Sequence, residues 1–206
     1  IQTQVTIELT GRMLPGTEIG AALVALDAMR PDVIGINCAT GPEEMSEHIR
    51  HLSAHSRIPI SVLPNAGLPS VVDGHMHYDL SAEQFVDFHR RFITEFGVNV
   101  VGGCCGTTPE YIRQLAEAVA EVEPTRREPH FEHGVASIYS PVLLEGDDTG
   151  GASNLIMIGE RTNANGSKKF REAMLESDWD TCVAMAKEQV KEGSHIIDVC
   201  VDYVGR

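Results

Sequence analysis

Two adjacent cysteines, Cys104 and Cys105, follow an apolar run and lie between glycines in the segment VNVVGGCCGTTPEYI, residues 98–112. Neighbouring cysteines rarely bond to each other, because the ring they would close is far from relaxed disulfide geometry. The pair therefore allows three interpretations: two inert core thiols, halves of two different disulfides, or two ligands of one metal ion. The chain has five cysteines, an odd number without the spacing of a small disulfide-rich scaffold. A disulfide framework is therefore disfavoured, and a reducing, cytoplasmic compartment suits the thiols better.

Cys38 occupies the same kind of position, directly after the apolar run DVIGIN. Because the carboxyl ends of parallel strands meet at one rim, the three cysteines could share a site there. Three thiolates and one open position form a recognised catalytic zinc site, in which a substrate thiol would bind as the thiolate. The alternative is that all three are small buried hydrophobic side chains, and the spacing alone does not decide between the two. Cys182 and Cys200 lack the glycine neighbours and are expected to be structural.

The surrounding sequence alternates between apolar, β-rich runs and helical patterns. Strands are predicted at residues 5–9, 32–37, 58–63 and 98–103. Helices are predicted at residues 17–30, 42–55 and 81–96, and from Thr108 onward, with a capping box at Ser81–Gln84 and a core-facing stripe at Phe85, Phe88, Phe92 and Phe96. This alternation predicts parallel strands joined by right-handed crossovers. Four such units would form half of an eight-stranded barrel or a complete small doubly wound sheet.

The character of the sequence changes after residue 121. Residues 122–153 have no sustained periodicity and include prolines and a Gly/Asp/Ser cluster, which predicts an interdomain linker. Alternation then resumes, with strands predicted at residues 155–159 and 195–202 around helices at 167–176 and 179–192. The predicted domains are residues 1–121 and 154–206. Because the chain starts without Met beside an apolar run and stops just past a strand, we expect it to be a fragment of a longer protein.

The amino-acid composition indicates which kinds of molecule the chain binds. The net charge is −14 and no Lys/Arg cluster occurs, which argues against a nucleic-acid partner and favours small molecules. No apolar run approaches the roughly 18–20 residues that span a membrane. His75 and His77 lie among turn residues in DGHMHYD, which favours a solvated loop over a metal site.

Three motifs, in this order, resemble the homocysteine-binding barrel of the zinc-dependent thiol methyltransferases: GINCATGP (35–42), PNAGLP (64–69) and VGGCCGTTPEYI (101–112). IGERTNANGSKKF (158–170) and GSHIIDVCVD (193–202) resemble the opening of a pterin-binding methyltetrahydrofolate barrel. The tandem arrangement is similar to that of the cobalamin-dependent homocysteine methyltransferases, whereas the betaine-dependent ones lack the second domain. The resemblance implies an α/β fold: the C-terminal half of one (β/α)8 barrel, a linker, and the first βα units of a second (β/α)8 barrel.

For the first domain, the resemblance implies that Cys38, Cys104 and Cys105 bind Zn2+ and that the homocysteine sulfur takes the fourth position. Asn65 of PNAGLP would complete the zinc shell when substrate is absent. The alternative for Asn65 is a turn residue before Gly67.

For the second domain, the resemblance implies pterin contacts from Asn163, Gly166 and Ser167. Asp198 would accept hydrogen bonds from the amino and ring N–H groups of the pterin. Cys200 departs from the family pattern, which usually has asparagine at this position. A thiol forms much weaker hydrogen bonds than an amide, so the pterin contact at this position would differ here.

The implied reaction passes a methyl group from 5-methyltetrahydrofolate through cobalamin to the zinc-bound homocysteine thiolate, giving methionine and tetrahydrofolate. Cobalamin would be bound by a domain of the same full-length chain that lies outside these residues. Alone, the fragment is expected to be inactive, and either to oligomerise through its open sheet edges or to depart from barrel geometry. The alternatives are a non-catalytic oligomerising fragment and a cobalamin-independent zinc-thiol methyltransferase of the betaine–homocysteine type.

Overall fold

The computed structural model of the chain describes residues 1–144 and 156–204 and has two compact units, Ile1–Leu143 and Leu144–Arg206. The strands are β1 (Gln2–Val5), β2 (Val33–Asn37), β3 (Ile60–Leu63), β4 (Pro69–Val72), β5 (His75–Tyr78), β6 (Val100–Val101), β7 (Gly134–Ala136), β8 (Pro141–Leu143), β9 (Ile158–Asn163) and β10 (Ile196–Cys200). The helices are α1 (Ile19–Met29), α2 (Pro42–His55), α3 (Ala82–Phe96), α4 (Pro109–Val119), α5 (Lys168–Leu175) and α6 (Trp179–Lys191). Across the described residues, no helix is both long and apolar enough to cross a bilayer.

The first unit is built on a parallel sheet with the strand order β1-β2-β3-β6. Its inner strands bury apolar side chains almost completely, as strands covered by helices do. The strand order follows the chain order. With right-handed crossovers, this order places the connecting helices on one face, whereas a doubly wound sheet reverses direction at a switch point. The predicted parallel α/β architecture is confirmed, and the division into half-barrels stays a prediction.

The helix pattern predicted for α3 is also found. Ser81 Oγ accepts the backbone N–H of Gln84, and Gln84 Oε1 accepts that of Ser81, so the capping box forms as predicted. Phe92 and Phe96 are buried in the core that includes the sheet, and Phe88 is partly buried against it. Phe85 is buried in a second cluster with Leu115 of α4, so the aromatic stripe packs against both the sheet core and the neighbouring helix.

The first strand begins earlier than predicted. The expected strand covered residues 5–9, but the pairing with β2 runs from Gln2 to Val5. The side-chain amides of Gln2 and Gln4 donate to Ser61 Oγ at 3.2 and 2.9 Å. These polar side chains satisfy one another, so the apolar-run criterion does not detect this strand.

The segment around His75 and His77 is a β-hairpin and not the expected loop. β4 and β5 pair antiparallel around Asp73 and Gly74, whose φ angles are 52° and 76°. Two consecutive positive φ angles define the type I′ turn that matches the twist of a hairpin, and Asp-Gly is its preferred sequence. Both histidines are exposed on β5.

Residues 122–143, nearly all of the described part of the expected linker, belong to the first compact unit. The Arg127 guanidinium donates to the carbonyl oxygens of Ser56 and Ile58, at 2.7 and 2.8 Å, just past the end of α2. Carbonyl groups at a helix end lack helical partners, so an arginine from this segment satisfies them. Residues 145–153 of the expected linker lie outside the described residues, and the predicted domain limits stay predictions.

In the second unit, β9 and β10 pair in parallel, with α5 and α6 between them in the chain. β9 starts later than the predicted strand at 155–159, whose first residue lies outside the described residues. Asp178 Oδ1 accepts the N–H of Thr181 at 3.1 Å and caps α6.

Candidate metal centre and second strand-end site

Three thiols meet at the carboxyl end of the parallel sheet in the first unit. Cys38 follows β2, whereas Cys104 and Cys105 follow β6. Cys105 Sγ lies 3.6 Å from Cys38 Sγ and 4.0 Å from Cys104 Sγ, and all three sulfur atoms lie within 4.8 Å of one another. Within the described ranges, no other three His, Cys, Asp or Glu side chains meet in this way. The predicted ligands are therefore brought together.

The spacing of the sulfur atoms fits three corners of a tetrahedral zinc site. Zn–S bonds of ~2.3 Å place two sulfur ligands of a tetrahedral ion about 3.8 Å apart. The observed separations of 3.6 and 4.0 Å lie on either side of that value, and all three cysteines are free thiols. Cys105 is exposed while the other two are partly buried. The cluster is thus open to a fourth ligand.

Cys38 is held in an unusual backbone conformation. Cys38 and Ala39 both have left-handed φ angles, of 59° and 60°. Such conformations cost ~1–3 kcal/mol in residues other than glycine and are concentrated at functional sites. Cys38 N–H donates to the Leu63 carbonyl at 3.1 Å, and Thr40 N–H donates to the Cys38 carbonyl at 2.7 Å. These bonds turn the chain sharply after β2 and direct the thiol toward Cys105.

The segment that follows β3 joins the two cysteine loops. Cys104 N–H donates to the Pro64 carbonyl at 2.8 Å, and Ala66 N–H donates to the Cys105 carbonyl at 2.9 Å. On the other side, Asn65 N–H donates to the Thr40 carbonyl at 3.1 Å. Because residues 64–66 bond to the loops after both β2 and β6, they set the separation of the thiols.

Asn65 lies at this rim, as predicted, and its side chain forms a hydrogen bond to one of the cysteine residues. It is 3% exposed, and its Oδ1 accepts the backbone N–H of Cys105 at 3.0 Å. In this arrangement Asn65 orders the turn that carries two of the thiols. Its role as a fourth zinc ligand stays a prediction.

The surroundings of the Cys38 and Cys104 thiols shift their pKa values in opposite directions. The pKa of Cys38 is lowered: desolvation acts to raise it but is outweighed by hydrogen bonds from the Ala39 backbone and from the side chains of Cys104, Cys105 and Asn65. For Cys104, desolvation and then the contact with Cys38 raise the pKa to about 11.

Tyr78, at the end of β5, flanks the cluster and was missed from the sequence. Gly106 has a φ of 80°, and a Cβ at that position would overlap the Tyr78 ring. The pKa of the phenol is raised, first by desolvation and then by the neighbouring Cys105 thiol. Tyr78 could have been identified from the Asp-Gly pair, because this pair predicts a hairpin in which the end of β5 lies beside the start of β4.

The second unit brings Asp198 and Asn163 together. The pairing of β9 and β10 is irregular at Asp198, where the bulged strand β9 has two residues, Glu160 and Arg161, opposite this one residue of β10. Asn163 Nδ2 donates to Asp198 Oδ2 at 2.7 Å, and Thr162 Oγ1 donates to the Asp198 carbonyl at 2.7 Å. These bonds join the carboxyl ends of β9 and β10, where two of the predicted pterin contacts lie side by side.

The other predicted pterin contacts lie on the loop that follows β9. Gly166 is exposed, with no atom within 4 Å of a Cβ built on it. Ser167 Oγ accepts the N–H of Phe170 at 3.2 Å and so caps α5. Asn165 Nδ2 lies 3.6 Å from Cys200 Sγ, which places an amide beside the position where the family usually has asparagine. Pterin contacts from these residues stay predictions.

Two family models of known proteins match this chain, one in each unit. The family model described as Homocysteine S-methyltransferase matches residues 1–119, more than half of the chain. The chain belongs to the homocysteine S-methyltransferase family. A second family model, described as Pterin binding enzyme, matches residues 159–206.

Two curated relatives match almost the whole chain. The chain is 52% identical over 202 residues to the methionine synthase of Mycobacterium tuberculosis (strain ATCC 25618 / H37Rv), a match that covers 98% of this chain and 16% of that protein. It is 51% identical over 207 residues to the methionine synthase of Mycobacterium leprae (strain TN), covering 98% of this chain and 17% of that protein. The chain thus spans about one sixth of the length of these relatives.

The limits of the two matches agree with the placement of the two sites. All three clustered cysteines lie within the homocysteine S-methyltransferase match. Asn163 and Asp198 lie within the pterin-binding match. Each candidate site therefore lies within one of the two matched regions.

Proposed function

We propose that this member of the homocysteine S-methyltransferase family is part of a methionine synthase, in which the first unit holds homocysteine on Zn2+ and the second binds 5-methyltetrahydrofolate. The observation that carries the proposal is the cluster of three free thiols, whose 3.6 and 4.0 Å separations suit a tetrahedral zinc ion with one open position. The family match over residues 1–119 supports homocysteine as the thiol that takes this position.

In this function, Cys38, Cys104 and Cys105 hold the metal, and Asn65 keeps the turn that carries two of them in place. Bound zinc lowers the pKa of a coordinated substrate thiol, so that the thiolate forms near neutral pH. The exposure of Cys105 leaves an approach for the substrate from solvent. The Tyr78 ring borders this approach and limits the space beside Cys105.

The second unit supplies the binding site for the methyl donor. A carboxylate at a strand end can accept hydrogen bonds from the neighbouring N–H groups of a pterin ring. Asp198 is suited to this role, because Asn163 Nδ2 engages one carboxylate oxygen, Oδ2, and orients the group. The pterin-binding match over residues 159–206 supports a folate and not betaine as the methyl source.

Cobalamin is assigned to no residue of this chain. In the proposed enzyme it belongs to another domain of the longer protein, where it supplies methyl-carrier chemistry. The free cysteines suit a reducing cytoplasm, in which such thiols persist.

The test is a measurement of zinc content together with methyl transfer in the intact protein. We expect about one zinc ion per chain, held by the three thiols. We also expect transfer of labelled methyl from 5-methyltetrahydrofolate to homocysteine. Labelled betaine serves as the matched control donor, and transfer from betaine in place of the folate would overturn the assignment. Absence of zinc from the active protein would overturn the metal role.

A further inference from the structure

His89 is a buried histidine in the middle of the aromatic stripe of α3. It is 0% exposed, and its ring centroid lies 4.2 Å from that of Phe85 and 6.0 Å from that of Phe92. Burial lowers the pKa of the ring, although hydrogen bonds to the Phe85 and Gly102 carbonyls act in the opposite direction. The imidazole is therefore neutral near pH 7 and carries a single N–H.

Both ring nitrogens nevertheless face backbone carbonyl groups. Nδ1 lies 2.8 Å from the Phe85 oxygen, and Nε2 lies 2.9 Å from the Gly102 oxygen. One proton can serve only one of these two acceptors. The Phe85 carbonyl is four residues before His89 in α3, so it already accepts the backbone N–H of His89. A proton on Nε2 therefore leaves neither oxygen without a donor.

The Gly102 carbonyl needs this donor because of the residue opposite it on β3. Gly102 N–H donates to the Val62 carbonyl at 3.2 Å, and Cys104 N–H donates to the Pro64 carbonyl at 2.8 Å. In a parallel ladder with this alternation, the N–H of residue 64 would donate to the Gly102 oxygen. Proline has no N–H, so the ladder lacks a donor at this one position. The His89 ring supplies it from the helix.

We propose that His89 is a positioning residue for the candidate zinc centre: its Nε2–H replaces the missing ladder donor, fixing the Gly102 peptide that leads into Cys104 and Cys105. The inference rests on the proposed zinc site. Gly102 is two residues before Cys104 and directly follows Val101, the last residue of β6. An unrestrained peptide here would let the turn move, and with it two of the three thiols.

The experiment compares three substitutions of His89 in the intact protein. His89→Phe and His89→Met keep apolar volume but remove the donor, whereas His89→Gln places a side-chain N–H near the position of Nε2. Zinc affinity is measured by competition with a chelator of known affinity, and the geometry is followed by the d–d absorption of the Co2+-loaded protein. Loss of a group that orients metal ligands typically weakens metal binding by about 10- to 100-fold. We expect that loss for Phe and Met, and near wild-type affinity for Gln.

A second substitution tests the ladder argument directly. Pro64→Ala returns an N–H to residue 64, so in the His89→Phe background it should restore zinc affinity and the Co2+ spectrum. A role for His89 in packing alone would not be rescued in this way. Unchanged zinc affinity in both donor-free variants would overturn the proposal, as would equal losses for Gln, Phe and Met without rescue by Pro64→Ala.

Two further outcomes can be distinguished from those above: variants that do not fold, and a wild-type protein that binds no zinc. If the donor-free variants do not fold, the ring 15N shifts of selectively labelled wild-type protein decide: a proton on Nε2 supports the proposal, and a proton on Nδ1 overturns it. If the wild-type protein binds no zinc, the proposed function fails, while the 15N measurement still tests the hydrogen bond to Gly102.

Discussion

Cys38 Sγ lies 3.6 Å from Cys105 Sγ, although the two residues are 67 positions apart in the chain. The contact exists because β2 and β6 both border β3, so their carboxyl ends emerge on either side of residues 64–66. The metal-binding geometry is therefore set by the parallel sheet and by backbone hydrogen bonds to one short segment. Changes that loosen this segment should be detected first as a loss of metal affinity.

Cys38→Ser should abolish stoichiometric zinc binding in the intact protein. Removing one of three thiolates leaves two ligands, fewer than zinc retains in protein sites of this kind. Metal content by atomic emission after dialysis against a weak chelator measures the effect. Cys182→Ser is the matched control, because Cys182 is a free cysteine on α6 in the other unit and lies outside the cluster. Equal zinc content in the Cys38→Ser variant and the wild-type protein would remove Cys38 from the ligand set.

Asn65→Ala should destabilise the first unit and weaken zinc binding together. Its Oδ1 is the side-chain acceptor for Cys105 N–H, and the residue is 3% exposed. Leaving a buried donor without an acceptor costs about 1–3 kcal/mol, so we expect the free energy of unfolding to fall by that amount. Urea titration of the metal-free protein measures it. Asn65→Asp keeps an acceptor oxygen and is the control. A full loss of zinc in Asn65→Ala without any loss of stability would instead favour Asn65 as a direct ligand.

The strand ends that carry chemistry could be predicted from the sequence because their apolar runs are strong and end in unusual residues. Cys38, Cys104 and Cys105 were placed correctly, since parallel strands must bring their carboxyl ends to one rim. Asn163 and Asp198 also meet as neighbouring strand ends. Local periodicity located these strand ends, whereas the choice of Asn163 and Asp198 came from the resemblance to the pterin-binding family.

The missed features depend on tertiary contacts or on turn chemistry. The predicted position of β1 was wrong because the side-chain amides of Gln2 and Gln4 donate to Ser61 on another strand. No local sequence pattern reveals such a contact. Residues 122–143 lack periodicity, yet Arg127 anchors them to carbonyl groups near the end of α2. Tyr78 was recoverable from the Asp-Gly turn signal. To predict the hydrogen bond from His89 to Gly102, one would need the register of the sheet, which a single sequence does not specify.

Asp198→Ala should weaken binding of 5-methyltetrahydrofolate by the intact protein by about 10- to 100-fold, since hydrogen bonds to charged groups contribute roughly 1.5–3 kcal/mol. Equilibrium dialysis with labelled folate measures the change. Asp198→Asn separates charge from shape, because it keeps the side-chain volume but replaces one acceptor oxygen with a donor group. Unchanged affinity in the alanine variant would remove Asp198 from the site. A loss confined to Asn163→Ala would assign the pterin contact to the amide.

His89 should make the stability of the first unit sensitive to mild acid. Burial lowers the pKa of its ring in the folded state, whereas an unfolded histidine titrates near about pH 6.5. Between these two pKa values the unfolded chain binds more protons, so the free energy of unfolding decreases as the pH falls. The contribution is complete above about pH 6.5 and is lost as the pH falls toward the folded pKa. His48 and His51, whose pKa values desolvation also lowers, act with the same sign.

His89→Gln should therefore reduce this pH dependence without abolishing it, because glutamine does not titrate while His48 and His51 remain. Urea titrations of the intact protein at a series of pH values from about 7.5 to about 5 measure the slope. His75→Gln, which makes the same replacement at an exposed histidine on β5, is the matched control for the substitution itself. A steeper slope in His89→Gln than in wild type would show that the folded protein holds the ring as imidazolium, with both nitrogens donating to the Phe85 and Gly102 carbonyls.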